Sequence, residues 1–387
     1  MSTYLDYAAT TPLDDTVLDR MLPYLKEDFG NPSSVHVWGQ RAEWAVEQAR
    51  ERVAEGLGCR PEEVIFTSGG SESDNLALRG AAFSARETRA ANHLLVSTVE
   101  HDAIRKTAFE LAERHGFELE WLPVDKSGRV SPTELRKSVR SDTAVISVIY
   151  GNNEIGTVNP IPDLAAIARE RNVTFHSDAL QATIQLPTRV DDLGIDLLSI
   201  GAHKFYGPKG VGALYVRSGA PLQAVQTGGS QEQGLRAGTH NVPLIVGFAH
   251  AHEIALARQK RDAVRFRALR DRIIDGVLDR IPGARLTGHR TERLPNNASF
   301  VFRGIDGNSL LMALDLAGFA CSSGSACKTG DPEPSEVLLA LGLERELALG
   351  SLRVTVGRRT TEAEVEQFLD VLQDTVVELR TPAIVTS

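Results

Sequence analysis

The sequence predicts an open α/β protein, with a mostly parallel sheet flanked by helices and a smaller α+β unit after it. Three observations carry this reading. Short apolar runs alternate with helical periodicity from Val64 to Val216. Those runs end in polar, chemically able residues, as strands do at the ligand-binding edge of such a sheet. The texture then changes after one long, charged helix.

Taken in order, Leu5 to Pro12 is short and extended, and Phe29-Gly30-Asn31-Pro32-Ser33-Ser34 is a turn cluster. Ala42, Ala45, Val46, Ala49 and Val53 have helical spacing within Gly39–Leu57. Val64–Thr67 reads as a buried strand running into Ser68-Gly69-Gly70-Ser71-Glu72-Ser73-Asp74-Asn75, with a helix from Leu76. Small residues let the backbone turn there, Ser71 is a candidate cap, and a helix start favours an anion. Taken alone, the stretch is better read as an ordinary capped strand-to-helix turn, since it has neither GxGxxG nor GK[ST] spacing.

Strands are expected at Leu94–Ser97, 118–122, Ala144–Tyr150, Thr174–Asp178, Asp196–Ile200 and Gly210–Val216, with helices at 103–115 and 162–171 between them. Four successive strand ends therefore deliver Ser71, His101, Asn153 and Asp178 to one edge. A glycine-rich loop, 227–239, precedes the long helix from Pro243 to about Arg280, within which a domain boundary falls near 257. The last part holds strands at 284–287 and 297–302, helices at 309–316 and 335–341, and a small, polar loop around Cys327. In the strand 351–356, Leu352, Val354 and Val356 share one face, so Arg353 lies on the other and calls for a carboxylate.

Composition narrows the class. The chain has 387 residues, 42% hydrophobic and 24% charged, enough for a large core and a smaller one. A net charge of −9 argues against a nucleic-acid surface as the main business. The first residues show no basic or apolar leader, and no stretch is long enough to span a bilayer, so no membrane role is expected. Cys59, Cys321 and Cys327 make no disulfide framework, and they fit a reducing, cytoplasmic setting where a thiol of consequence is reactive.

The chemistry centres on Thr174-Phe175-His176-Ser177-Asp178-Ala179-Leu180-Gln181 and Leu197-Leu198-Ser199-Ile200-Gly201-Ala202-His203-Lys204. A strand-end carboxylate and a strand-end amine are what pyridoxal phosphate requires, one for its ring nitrogen and one for its aldehyde. An unrelated strand-end Asp and surface Lys would look the same at this point.

The ordered set LDYAATTP, FGNPSS, FTSGGSESDN, VEHDAI, NNEIG, HSDALQ, GAHKFYGPKGVGALYV, RAGT, SSGSAC, EPSEVLLALG and SLRVTVGR closely resembles the cysteine desulfurases of iron–sulfur cluster assembly. It runs from Leu5 to Arg358. The resemblance implies the aspartate-aminotransferase fold (fold type I of the pyridoxal-phosphate transferases), with a seven-stranded sheet. It implies an N-terminal segment 1–14 packing with the small domain, a large cofactor domain 15–257 and a small domain 258–387 carrying the cysteine loop. It also implies pyridoxal 5'-phosphate, L-cysteine as substrate, a homodimer, and a persulfide passed to an iron–sulfur scaffold or another sulfur acceptor.

By the same resemblance Lys204 is the Schiff-base lysine, Asp178 partners the ring nitrogen, His101 stacks on the ring and Gln181 meets its phenolic oxygen. Gly70, Ser71 and His203 take the phosphate, joined by Thr239 of a second subunit. Asn153 and Arg353 hold the substrate carboxylate, and Cys327 accepts the sulfur. Cys59 has no role, and Cys321 is a small core residue. Three departures stand out. Gly201 replaces the usual phosphate-binding Ser, Ser71 replaces Thr, and Lys328 follows the thiol, where added positive charge lowers a thiol's pKa. The loop has the long form of the housekeeping and nitrogenase-associated branch. An aminotransferase or selenocysteine lyase of the same fold, and a sulfur-relay or metal-binding module using Cys321 and Cys327, are the alternatives. The absence of further Cys or His at ligand spacing speaks against the last.

Overall fold

The computed structural model describes residues 2–183, 185–324 and 333–380. The chain opens with β1 (Thr3–Tyr4), α1 (Asp15–Lys26) and α2 (Val37–Leu57). α2 buries Ala42, Ala45, Val46, Ala49 and Val53, as their spacing predicts, and stops at Gly58, whose φ of +70° favours a residue without Cβ.

Seven strands follow: β2 (Val64–Thr67), β3 (His93–Ser97), β4 (Glu118–Leu122), β5 (Thr143–Ser147), β6 (Thr174–Asp178), β7 (Leu197–Gly201) and β8 (Gly212–Val216). They form one sheet in the order β2-β8-β7-β6-β5-β3-β4. β8 runs antiparallel to both neighbours, and the other adjacent pairs are parallel. The carboxyl ends of β2, β3, β5, β6 and β7 therefore share one edge, the edge where open α/β sheets place their chemistry.

Strand alternation divides the apolar residues between two faces. Ile65, Leu94, Val96, Val145, Leu197 and Leu214 pack under α3 (Gly70–Arg89) and α4 (Asp102–His115). Phe66, Leu95, Ile146, Phe175, Leu198 and Tyr215 face the other way. There they meet α1, α2, α5 (Pro132–Ser138), α6 (Ile161–Glu170), α7 (Val190–Leu193) and the first half of α8 (Val242–Arg280). With both faces covered, the inner strands β3, β5 and β7 are fully buried, which is why they read as continuous apolar runs.

α8 has 39 residues and spans roughly 60 Å at ~1.5 Å per residue. Its residues up to Ala255 join the sheet core, and from Phe266 onward they join a second one. That second core packs around β9 (Ala284–Leu286), β10 (Asn297–Phe302) and β12 (Ser351–Thr355), an antiparallel sheet in the order β12-β10-β9. α9 (Gly307–Leu316) and α12 (Glu362–Arg380) cover it. β11 (Phe319–Ala320) pairs parallel with β1, so the N-terminus is stitched to this unit. α10 (Glu336–Ala340) and α11 (Arg345–Leu349) are short turns between β11 and β12. Among the described residues no helix is long and apolar enough to cross a membrane.

The structure corrects several boundaries. The helix after β2 starts at Gly70 rather than Leu76, its cap is Gly69, and Ser71 lies in the first turn instead of capping it. β5 ends at Ser147, three residues before Tyr150. α5, α7 and α11 fall in stretches too short for periodicity to register.

Candidate active site

β6 carries Asp178 to its carboxyl end, 4% exposed. The turn that follows gives the Leu180 N–H to Asp178 Oδ1 at 2.9 Å. Burial raises the carboxyl's pKa, while His101, that N–H and Lys204 pull it down. β7 ends one strand over, and the 3₁₀ turn Ala202–Lys204 presents Lys204. Burial and the repulsion of Arg353 lower the ammonium to about 8. Its Nζ donates to Ala8 O and Ala9 O, both at 2.8 Å.

The N-terminal segment is the frame that gathers these residues. Gln181 Nε2 donates to Ala8 O at 2.8 Å, the same carbonyl that receives Lys204. His203 Nδ1 lies 3.2 Å from Thr10 Oγ1, and the Thr11 N–H and hydroxyl both reach His203 O at 3.0 Å. Burial first, then Lys204, holds His203 near 4, so it is neutral. Asp6 Oδ1 accepts Arg353 Nη2 at 2.9 Å, the carboxylate that a strand arginine demands.

Arg353 stands on β12 opposite Ser299, and its Nη1 donates to Asn153 O at 2.9 Å. Its buried Nε donates to nothing among the described residues. Asn153 is half-buried. A cleft of about 490 Å³ opens beside it, lined by His101, Arg105, Glu154, Gly324 and Ser335. His101 is exposed there and caps α4, its Nδ1 accepting the Ala103 N–H at 3.1 Å. Glu154 accepts the Ser335 hydroxyl at the cap of α10, and burial raises its carboxyl to about 7.

At the other end of the site, α3 points its N-terminus at the end of β7. Ser73 N–H closes the first intrahelical bond onto Gly69 O at 3.1 Å, which leaves the N–H groups of Gly70, Ser71 and Glu72 ahead of the ladder. Leu180 fills the space between the strands: a Cβ on Gly70 would stand 2.0 Å from Leu180 Cδ2. A Cβ on Gly201 would meet Leu180 at 3.4 Å and Gly70 N at 3.6 Å, ordinary contact distances.

The donor set fits pyridoxal phosphate. Gly70 and Ser71 offer a helix N-terminus to the phosphate. Asp178 is a buried carboxylate for the ring nitrogen, and Lys204 is an amine whose lowered pKa favours the neutral, nucleophilic form.

Thr239 stands apart. Thr239 is exposed on the loop beside Phe29, Gly30 and Asn31, and no described contact joins it to Lys204 or Asp178. Cys327 and Lys328 lie outside the described residues. Burial pushes the Cys59 thiol up to about 12 and raises Cys321 still further, so both are poor nucleophiles. Asp6, Ala8, Ala9, Thr10 and Thr11 join the site as well, and their signal in the sequence is the short extended stretch LDYAATTP.

Residues 3–368 match the aminotransferase class-V family model. A protein named cysteine desulfurase IscS from Dictyoglomus turgidum is 49% identical, with 98% of this chain and 95% of that protein covered. The cysteine desulfurase IscS of Methanosarcina thermophila is 46% identical, covering 97% and 92%. A solved structure titled NIFS-like protein superposes with a TM-score of 0.91 at 37% identity, over 98% of this chain and all of the other. With fold, motifs and length matched from end to end, the chain belongs to the cysteine desulfurases of the aminotransferase class-V family.

Proposed function

We propose that this protein removes sulfur from L-cysteine, releases L-alanine and holds the sulfur as a persulfide on Cys327 for an acceptor, such as an iron–sulfur scaffold protein. The observation that carries the reading is the pairing of buried Asp178 with Lys204, whose pKa is lowered to about 8, at the carboxyl edge of the sheet. Arg353 stands beside them with a buried guanidinium nitrogen to spare for a substrate carboxylate.

When bound, pyridoxal phosphate supplies an electron sink conjugated to the substrate's amino group. The protein's residues do the rest. Gly70, Ser71 and His203 would hold the phosphate, with Thr239 of a second subunit. Asp178 would keep the ring nitrogen protonated, Gln181 would bond the phenolic oxygen and His101 would cover the ring. Arg353 and Asn153 anchor the substrate carboxylate. Lys204 Nζ takes the α-proton and returns protons as alanine forms. The Cys327 thiolate attacks the substrate sulfur, so an S–S bond forms as the C–S bond breaks.

The same reading divides the chain into an N-terminal segment 1–14, a cofactor domain 15–257 and a small domain 258–387, and places the protein in the cytoplasm as a homodimer. The dimer is supported by an exposed apolar cluster beside Thr239. Phe29 and Trp38 stack there with ring centroids 5.4 Å apart, and Val35 is 91% exposed.

The test is Cys327→Ala, assayed for alanine release from L-cysteine while the cofactor's visible band is recorded. Loss of turnover with the band intact supports the assignment. Undiminished alanine release overturns it and points to a lyase or aminotransferase that needs no thiol.

A further inference from the structure

Behind Asp178 lies a buried polar cluster that none of the proposed roles uses. His176 and Asp178 sit on the same face of β6, the face under α3. His176 Nδ1 meets Ser147 Oγ at 2.9 Å and its Nε2 meets Ser199 Oγ at 3.0 Å; Ser199 is the residue paired with Asp178 across β6 and β7. From α3, Asp74 enters this cluster 1% exposed, its Oδ1 3.7 Å from His176 Nε2. Glu100 closes it from the loop after β3, with one carboxyl oxygen receiving the Ser97 hydroxyl and the Ile149 N–H.

We propose that Asp74 is a positioning residue held as a neutral acid, so that the Asp74–Asp178 pair carries one negative charge and that charge resides on Asp178. The proposal rests on the assignment of Asp178 to the cofactor's ring nitrogen. Among the described residues Asp74 meets at most the Ser199 hydroxyl, which can donate to a carboxylate or accept from a neutral acid, and one hydroxyl at that depth does not replace a carboxylate's hydration. The adjacent base offers no charge, because burial holds His176 near 3 and both its nitrogens face serine hydroxyls. Asp178 is buried too but better served: it takes the Leu180 N–H and feels His101 and Lys204. Two carboxyls sharing one buried site do not both ionise, so the proton settles on the one with no backbone donor and no nearby cation. Burial and the charges of Asp178 and Glu100 raise Asp74 in that same direction, outweighing the Ser199 hydroxyl bond that lowers it.

Infrared difference spectra of Asp74→Asn and Glu100→Gln, taken first without cofactor, test the protonation directly. At pH 7 the unaltered protein is expected to show a protonated-acid carbonyl band sensitive to D₂O, and Asp74→Asn should remove its own share of it. An unchanged band in Asp74→Asn overturns the proposal. Cofactor titration then tests the role, because two isosteric changes on neighbouring carboxyls should diverge. Asp74→Asn is expected to bind within about twofold of the unaltered protein, and Asp178→Asn to bind at least about tenfold more weakly. Equal weakening by both overturns the proposal. Undisturbed binding by Asp178→Asn overturns the role of Asp178 instead, a failure that the infrared result distinguishes.

The pH dependence of stability provides a third readout. Asp74 keeps its proton in the fold where an unfolded aspartate has lost it, so stability falls as pH rises from about 4. Asp74→Asn should flatten that fall, leaving the part owed to Glu100, which burial raises to about 8. A slope identical to that of the unaltered protein overturns the assignment.

Discussion

At the scale of single residues, the position that most distinguishes this site is Gly201. The end of β7 offers room for a serine, since a Cβ there meets Leu180 and Gly70 N at ordinary contact distances. A hydroxyl at that point would face the α3 N-terminus and add a donor to the phosphate cup. Gly201→Ser should therefore tighten pyridoxal phosphate by up to about tenfold, the worth of one good hydrogen bond. Fluorescence titration of the cofactor-free protein measures this, and unchanged or weaker binding would show that the hydroxyl finds no phosphate. Lys204 makes a second prediction. Its ammonium is lowered to about 8, mainly by burial, and only the neutral amine attacks an aldehyde. Attachment of pyridoxal phosphate to the empty protein should accelerate with pH to a midpoint near 8 and then level off. A midpoint near the ordinary lysine value of ~10.4 would mean that Nζ is solvated.

At the scale of elements, Glu154 links the turn after β5 to α10. Its carboxyl accepts the Ser335 hydroxyl, and Ser335 caps α10 by accepting the Leu338 N–H at 3.2 Å. Burial is the largest cause of its raised pKa, with the Ser335 bond and Arg353 opposing it. A carboxyl raised to about 7 in the fold and ionising near ~4.3 when unfolded binds more protons folded than unfolded between those values. Its contribution is thus full below the lower value and is lost as pH rises through the upper one. Glu154→Gln should flatten the decline in melting temperature between pH 5 and about 7.5, beside the unaltered protein in the same buffers. Most elements were legible because their periodicity is strong. α2, the buried strands and α8 all lie within a few residues of where spacing puts them. The start of α3 was not legible: Gly70 and Ser71 have weak helix propensity, and the contacts that hold the turn, Arg236 on Glu72 and Leu180 against Gly70, come from distant parts of the chain.

At the scale of the whole molecule, the apolar cluster of Phe29, Val35 and Trp38 is left largely exposed by the described residues. If it is buried against a second copy, Trp38→Asp should weaken dimerisation by at least about tenfold, as removal of a central aromatic anchor does. Sedimentation velocity across a dilution series reads this directly, and a sedimentation profile matching the unaltered protein would place the interface elsewhere. The wider arrangement follows from α8, which contributes its first half to the sheet core and its second half to the β9–β10–β12 core.

What the sequence determined by itself was whatever is written in local chemistry: alternating strands and helices, Asp178 and Lys204 at adjacent strand ends, and an arginine in β12 in need of a carboxylate. Each of those is set by period, turn residues or the valence of one side chain. What only the tertiary structure decided was partnership across distance. Asp6 as the mate of Arg353, Ala8 as the shared acceptor for Lys204 and Gln181, and Asp74 as the neighbour of Asp178 depend on segments far apart in the chain. No spacing rule encodes such pairs, because packing of the whole core fixes which buried polar group lacks water and which finds a donor.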